Sequence, residues 1–181
     1  VEDKDGEANE DILVEYTADY LSSKPYVKVC VASRQRVTRG KIRERDFYSS
    51  RLKGFDLEFI ESDVDNLSSY KAISSSEIVI AQNSGIAFEA LGWGHKVLFC
   101  QPNKLDFWTP VEHDLHYAVI DYNQTRFNNL LDELFDIPLN QYREKTKDNA
   151  AKNCYFNKTN PPHIIIQNKL NELLKTSKEN N

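Results

Sequence analysis

The chain has 181 residues, a length that suits one globular domain with short appendages. Its formal net charge of −5 argues against a general nucleic-acid-binding protein, so we expect no nucleic-acid partner. No apolar run approaches the ~18–20 residues that a membrane-spanning helix needs, and no secretion signal is visible. These features favour a cytoplasmic protein, or one peripheral to the inner face of a membrane.

Apolar residues recur at helical and strand spacings in turn along most of the chain. Residues 1–11 are acidic and predict a flexible end. The chain contains no Met, which indicates a processed product or a fragment. Helical spacing predicts helices at about 10–22, 44–53, 68–74, 86–91, 127–135 and 139–155, and a terminal helix that starts at Pro161-Pro162. Short apolar runs predict strands at Tyr26–Ala32, Asp56–Glu61, Glu77–Ala81, Lys96–Cys100 and Tyr117–Asp121.

Strands that alternate with helices indicate an α/β fold. We expect a Rossmann-like, mostly parallel sheet of about five or six strands with helices on both faces, in a single domain over residues 12–181. In such open sheets, ligands bind beyond the carboxyl ends of the strands. We call this edge the carboxyl rim. The segments expected there are Ser33-Arg34, Asp63–Ser69, Gln82–Gly85 and Gln101–Lys104.

The most informative segment follows the third predicted strand. Ile78, Val79 and Ile80 form the apolar run of a strand buried on both faces, and Asn83-Ser84-Gly85 then supplies turn and helix-capping chemistry. The helix that begins near Ile86 leaves free N–H groups at the positive end of its dipole, which is a binding place for a phosphate or another anion. The alternative interpretation is an ordinary helix cap, which needs no ligand.

Glu89 lies about one turn into the same helix, among apolar neighbours. A carboxylate there needs a partner, because burying it unpaired is costly. A ribose or sugar diol would be suitable. The alternative is a first-turn acid that complements the helix dipole.

A basic segment follows the first predicted strand. It carries Arg34, Arg36, Arg39, Lys41, Arg43 and Arg45 against a single Glu44, and Gly40 would let it fold back on itself. Arginine forks bind phosphate oxygens in pairs, so Arg34 and Arg39 are candidates for neutralising a diphosphate. A solvated surface loop is the alternative.

Other chemistry-bearing residues give weaker signals. The four histidines form no metal-type spacing, although His113 and His116 are expected on the loop at the carboxyl rim. The cysteines Cys30, Cys100 and Cys154 are interpreted as free thiols in a reducing compartment. No catalytic triad, phosphate-loop or dinucleotide glycine motif is present, and no metal site is predicted.

The segment from Ser74 to Phe99, SSSEIVIAQNSGIAFEALGWGHKVLF, resembles the donor-binding segment of GT-B glycosyltransferases. It is most similar to the group that builds bacterial surface carbohydrates, such as capsule Kdo transferases and the glycerophosphotransferases of teichoic acid. Their order of motifs is matched by Ser84-Gly85, Phe88-Glu89, Ala90-Leu91 and Gly94-His95-Lys96-Val97.

The resemblance implies that Asn83, Ser84, Gly85 and Ile86 hold donor phosphates and that Glu89 holds a ribose or sugar hydroxyl. It implies a nucleotide sugar as substrate, no cofactor and no bound metal. The glycan or lipid-linked acceptor would bind through a second, N-terminal domain, for which this chain has no room, so catalytic residues stay unassigned and the isolated domain is expected to be inactive.

The function expected from these features is nucleotide-sugar binding within a glycosyltransferase of surface-polysaccharide or lipopolysaccharide biosynthesis. Two alternatives remain open. A nucleotide-sugar epimerase shares the architecture, and a non-catalytic binding or assembly module could keep the fold without the chemistry.

Overall fold

The computed structural model describes residues 4–32, 38–39, 42–61, 63, 67–82, 84–102, 115–154, 159, 161 and 164–171. For residues 4–9, 38–39 and 42–43 it describes the backbone alone. The predicted site residues Arg34 and Asn83 therefore lie outside the described residues, as do His113 and the side chain of Arg39.

Seven helices and seven strands occur in these residues. The helices are α1 (Lys4–Ser23), α2 (Glu44–Arg51), α3 (Ser68–Ser75), α4 (Gly85–Gly92), α5 (Gln124–Asp136), α6 (Leu139–Asn153) and α7 (164–171). The strands are β1 (Val29–Ala32), β2 (Thr38–Arg39), β3 (Ile42–Arg43), β4 (Leu57–Ile60), β5 (Ile78–Ala81), β6 (Lys96–Cys100) and β7 (Ala118–Val119).

The start of α1 differs from the prediction, because the helix begins inside the acidic stretch. Its first residue is Lys4, and Asp5 and Glu7 follow within two turns. Acidic residues are favourable at the positive end of the helix dipole, which suits this composition to a helix start.

The parallel strands are divided between two small sheets. Strand β1 pairs with β4, and β5, β6 and β7 form a three-stranded sheet in that order. The prediction of one sheet with five or six strands was therefore wrong, although the mixed α/β class and the parallel pairing are confirmed. Within the described residues, no backbone ladder joins β1 to β5.

The burial of the strands follows from this division. All five residues of β6 are buried, since β6 has a paired strand on each side. The four residues of β5 are only half-buried, because one of its edges has no paired strand in the described part of the chain. The expectation that β5 is buried on both faces was wrong, and β6 is the central strand instead.

Different helices cover the two faces of β6. The ring of Phe99 lies 4.7 Å from the ring of Phe88 in α4. Burial raises the pKa of the Tyr16 phenol in α1, and Cys100, the next residue of β6, lies close enough to raise it further. Successive strand residues point to opposite faces, so α4 and α1 lie on opposite sides of this sheet.

The basic segment contains a short hairpin that was not predicted. Strands β2 and β3 pair antiparallel, with Thr38 opposite Arg43 and Arg39 opposite Ile42. The antiparallel pairing reverses the chain direction between the two strands, and Gly40 itself lies outside the described residues.

The apolar core consists of two clusters. The larger one surrounds β6, and its fully buried members are Ala87, Ala90, Leu98, Cys100, Val119, Phe127, Leu134 and Tyr142. The smaller one lies between α1, α2 and the β1–β4 pair, with Val14, Leu21, Phe47 and Leu52 as its buried members. None of the helices that the structure describes is long and apolar enough to cross a membrane.

Candidate functional site

The turn between β5 and α4 positions the residues that sequence analysis ranked first. Ser84 is the N-cap of α4, with extended backbone angles (φ −134°, ψ 122°). Its carbonyl accepts hydrogen bonds from the N–H groups of Ala87 at 3.0 Å and Phe88 at 3.4 Å. The expected cap position is therefore confirmed. The Ser84 hydroxyl makes no capping hydrogen bond to the helix, so this bond does not occupy it.

The first two residues of α4, Gly85 and Ile86, present their backbone N–H groups at the open end of the helix. Neither N–H has an acceptor among the described residues, as is usual for the first turn. A Cβ added at Gly85 would meet no atom within 4 Å, and Gly85 is exposed. The end of the helix is therefore accessible from solvent.

Gln82 adds a third donor at the same strand end, and sequence analysis did not select it. Its side-chain Nε2 is buried and has no hydrogen-bond partner in the part of the chain that the structure describes. Buried polar groups in proteins nearly always have a partner, so an orphan donor next to a helix N-terminus points to an acceptor from outside the chain. The signal in the sequence was its position, directly after an apolar strand.

Glu89 lies on the outer face of α4 and not in an apolar pocket. It is exposed, whereas Ala87, Phe88, Ala90 and Leu91 are buried. The expectation of a buried carboxylate was wrong because these neighbours face the core while position 89 faces away. Ala90 and Leu91 instead follow the predicted apolar face of the helix.

The partner of Glu89 is the phenol of Tyr70 in α3. Tyr70 Oη donates a hydrogen bond to Glu89 Oε2 at 2.8 Å, and this bond is the main cause of a raised pKa for Tyr70. The Tyr70 ring also lies 5.3 Å from the ring of Trp93, which follows α4. This hydrogen bond was not predicted, because Tyr70 and Glu89 are 19 positions apart in the sequence.

His116 lies at the edge of the sheet opposite the carboxyl rim. It precedes β7, and Phe99 of β6 donates its N–H to the carbonyl of the next residue, Tyr117. The expectation that His116 lies on the rim loop was therefore wrong. Burial and nearby Lys145 lower the pKa of His116, and its backbone N–H donates to Asn149 Oδ1 at 3.0 Å.

Two further positions at the carboxyl ends of strands follow β6 and β7, and they differ in exposure. Gln101 is 2% exposed, whereas Tyr122, which follows β7, is 64% exposed.

Among the described residues, no group of three or more His, Cys, Asp or Glu side chains could hold a metal ion. The backbone of Arg39 pairs with that of Ile42 in the β2–β3 hairpin, in the segment that follows β1 in the chain.

One of the comparisons with known proteins gives a match, and it is to a family described by O-antigen biosynthesis. Residues 6–171 match a family described as "putative O-antigen biosynthesis protein". Neither the curated proteins nor the solved structures contain a match to this chain. Because the match covers more than half of the 181 residues, the chain belongs to this family of O-antigen biosynthesis proteins.

Proposed function

We propose that the chain is the nucleotide-sugar-binding domain of a metal-independent glycosyltransferase in surface-polysaccharide or lipopolysaccharide synthesis. Membership of the O-antigen family supports the polysaccharide context. The GT-B resemblance of the Ser74–Phe99 segment supports the type of enzyme. In this proposal the nucleotide sugar is the substrate, and no cofactor is required.

One observation carries the proposal: three N–H donors without acceptors lie at the carboxyl end of β5. They are Gln82 Nε2 and the backbone N–H groups of Gly85 and Ile86. Gln82 Nε2 is the buried one of the three, and a buried donor without a partner costs about 1–3 kcal/mol, so a ligand with acceptor oxygens is favoured there. A diphosphate has many oxygen acceptors, and its charge suits the positive end of the α4 dipole.

The remaining residues have natural roles around such a ligand. Ser84 and Asn83 extend the set of donors, while Arg34 and Arg39, from the segment after β1, neutralise charge. As the bond from sugar to phosphate breaks, negative charge builds on the leaving nucleotide, and fixed N–H dipoles stabilise it. Glu89 accepts a hydrogen bond from a hydroxyl group of the nucleotide sugar. The acceptor and a catalytic base come from a second domain, at the cytoplasmic surface of a membrane.

The test is a thermal-shift screen against UDP, GDP, CMP, CDP and their sugar conjugates. A ligand that binds only the folded state raises the melting temperature by mass action. Gly85→Asp is the informative variant, because a carboxylate in the first turn stabilises the helix by about 0.3–1 kcal/mol but repels a phosphate. Gly85→Ala is the matched control.

We expect one nucleotide class to raise the melting temperature of the wild type and of Gly85→Ala, but not that of Gly85→Asp. Glu89→Ala should reduce the shift caused by that class. No shift with any nucleotide at millimolar concentration would contradict the proposal and favour a non-catalytic assembly module. An equal shift in Gly85→Asp would place nucleotide binding elsewhere.

A further inference from the structure

An aromatic and acidic surface lies on the outer side of α3 and α4. We call it the Tyr70–Trp93 patch; it consists of Tyr70, Glu89 and Trp93. Glu89 and Trp93 are four positions apart along α4 and its C-cap, so they share one side of the helix. Tyr70 contacts both, with its hydroxyl 2.8 Å from Glu89 Oε2 and its ring 5.3 Å from the Trp93 ring.

The patch is open to solvent although it is largely aromatic. Trp93 is 39% exposed and Glu89 is exposed, while Tyr70 is half-buried. Large aromatic side chains are usually mostly buried, so an exposed Trp93 in contact with a half-buried Tyr70 and beside a carboxylate is informative. The two rings are inclined at 39° with centroids 5.3 Å apart, so they are in contact with each other.

The hydrogen bond from Tyr70 leaves part of the Glu89 carboxylate free. Tyr70 occupies Oε2, and Oε1 has no hydrogen-bond donor among the described residues. A carboxylate only accepts hydrogen bonds, so Oε1 suits a hydroxyl or another donor. The Tyr70 ring contacts the Trp93 ring, and this contact restricts the position of the Tyr70 hydroxyl that donates to Glu89. The patch therefore presents an acceptor at a set position beside an aromatic surface.

We infer that the Tyr70–Trp93 patch binds a saccharide ring, with its C–H face on the aromatic rings and a hydroxyl donating to Glu89 Oε1. The face of an aromatic ring carries partial negative charge, and the C–H groups of a pyranose carry partial positive charge. A saccharide has both an apolar face and hydroxyl donors, and the patch offers a complement to each. The inference rests on the proposed function in placing a sugar at Glu89, but it requires no phosphate.

A cation is the competing ligand, since aromatic faces and a carboxylate also attract positive charge. The saccharide is favoured because the chain belongs to a family of polysaccharide biosynthesis. The test includes tetramethylammonium so that the two chemistries are separated.

The experiment is ligand-observed NMR with phosphate-free methyl pyranosides of glucose, galactose, mannose and N-acetylglucosamine at millimolar concentration. The proteins compared are the wild type, Trp93→Leu, Trp93→Phe, Tyr70→Phe and Glu89→Gln. Tyr26→Leu is the control, because Tyr26 is 79% exposed and lies outside the patch. Circular dichroism and the melting temperature establish that each variant is folded.

We expect the wild type to bind at least one pyranoside, and Trp93→Leu to lose roughly tenfold in affinity, equivalent to about 1.4 kcal/mol. Trp93→Phe should keep most of the affinity, because it keeps an aromatic face. Tyr70→Phe keeps the ring but releases Glu89, so a smaller loss is expected. Tyr26→Leu should bind as the wild type does.

Three results would overturn the inference: no pyranoside binding by the wild type, unchanged binding in Trp93→Leu and Glu89→Gln, or binding of tetramethylammonium alone. The nucleotide proposal fails separately. Pyranoside binding without any nucleotide binding would support the patch as a saccharide site and contradict the proposed nucleotide site.

Discussion

The buried phenol of Tyr142 accepts a hydrogen bond from the backbone N–H of Val97 at 3.0 Å, linking α6 to the central strand β6. Tyr142 is 0% exposed and Val97 is 1% exposed, so water cannot replace this contact. Burial raises the pKa of Tyr142 to about 12, which keeps the phenol protonated under ordinary conditions. One side chain thus satisfies a backbone group at the start of the innermost strand.

Tyr142→Phe should therefore destabilise the protein without changing its fold. The substitution keeps the ring but leaves the Val97 N–H buried without an acceptor, which costs about 1–3 kcal/mol. Urea denaturation followed by circular dichroism measures the free energy of unfolding. Tyr26→Phe, at an exposed position, is the control and should have no effect. Equal stability of the two variants would show that the Tyr142 bond contributes nothing.

Two glycines of α4 should respond oppositely to alanine. A Cβ at Gly92 would lie 2.7 Å from Cys154 Cβ, whereas a Cβ at Gly85 would meet nothing within 4 Å. Gly92→Ala should destabilise by about 1–3 kcal/mol through overpacking, which exceeds the gain in helix propensity. Gly85→Ala should be neutral or slightly stabilising. Melting temperatures decide this, and a stable Gly92→Ala would mean that α4 and α6 are farther apart than described.

Acid should weaken the attachment of α5. Hydrogen bonds from Lys145 to Glu133 and from Lys24 to Asp132 are the main causes of lowered pKa values for these two carboxyls. A lowered pKa in the folded state contributes stability above the ordinary values of 4.5 and 3.8, and this stability is lost as the pH falls through the folded-state values.

Glu133→Gln and Asp132→Asn should accordingly be less stable at neutral pH and show a shallower loss of stability in acid. The free energy of unfolding, measured from neutral pH down to about pH 3, reveals the slope. Glu144→Gln, an exposed position in α6, should keep the wild-type slope. If Glu133→Gln also keeps it, the Lys145 pair does not contribute to the pH dependence.

The Tyr70–Glu89 bond should be detectable by titration. The hydrogen bond to the Glu89 carboxylate is the largest cause of the raised pKa of Tyr70, ahead of burial. Glu89→Ala should therefore lower the pKa of Tyr70 towards the ordinary value of 10.0. Titration of protein with ¹³C-labelled tyrosine, with Tyr70→Phe used to assign the resonance, measures this. An unchanged pKa would mean that the two side chains do not meet in solution.

The unit from β5 to β6 was the most predictable part of the fold. Its apolar runs, helical spacing and glycines lie close together in sequence, and the boundaries of α4 and β6 match the prediction within about two residues. Gly94 has φ +79°, the left-handed conformation expected after a helix that ends with glycines.

Features that depend on distant residues were less predictable. An apolar run such as Ile78–Ile80 reads the same in a central strand and in an edge strand, so the sequence could not show that β5 is only half-buried. The partner of Glu89 could not be predicted either, because it depends on how α3 packs against α4. The lack of a partner for Gln82 Nε2 among the described residues could not be predicted either, because it depends on where residues distant in sequence lie.

Helix α1 contributes to both apolar clusters, and this has a consequence for unfolding. Tyr20 belongs to the cluster around β6, and its neighbour Leu21 belongs to the cluster beneath the β1–β4 pair. The two sheets share no ladder in the described residues, but they share this helix as a common support. Loss of either cluster removes contacts that hold α1 in place. We therefore expect the two sheets to melt in one cooperative transition, so that amide exchange in β4 and in β6 reports the same opening event.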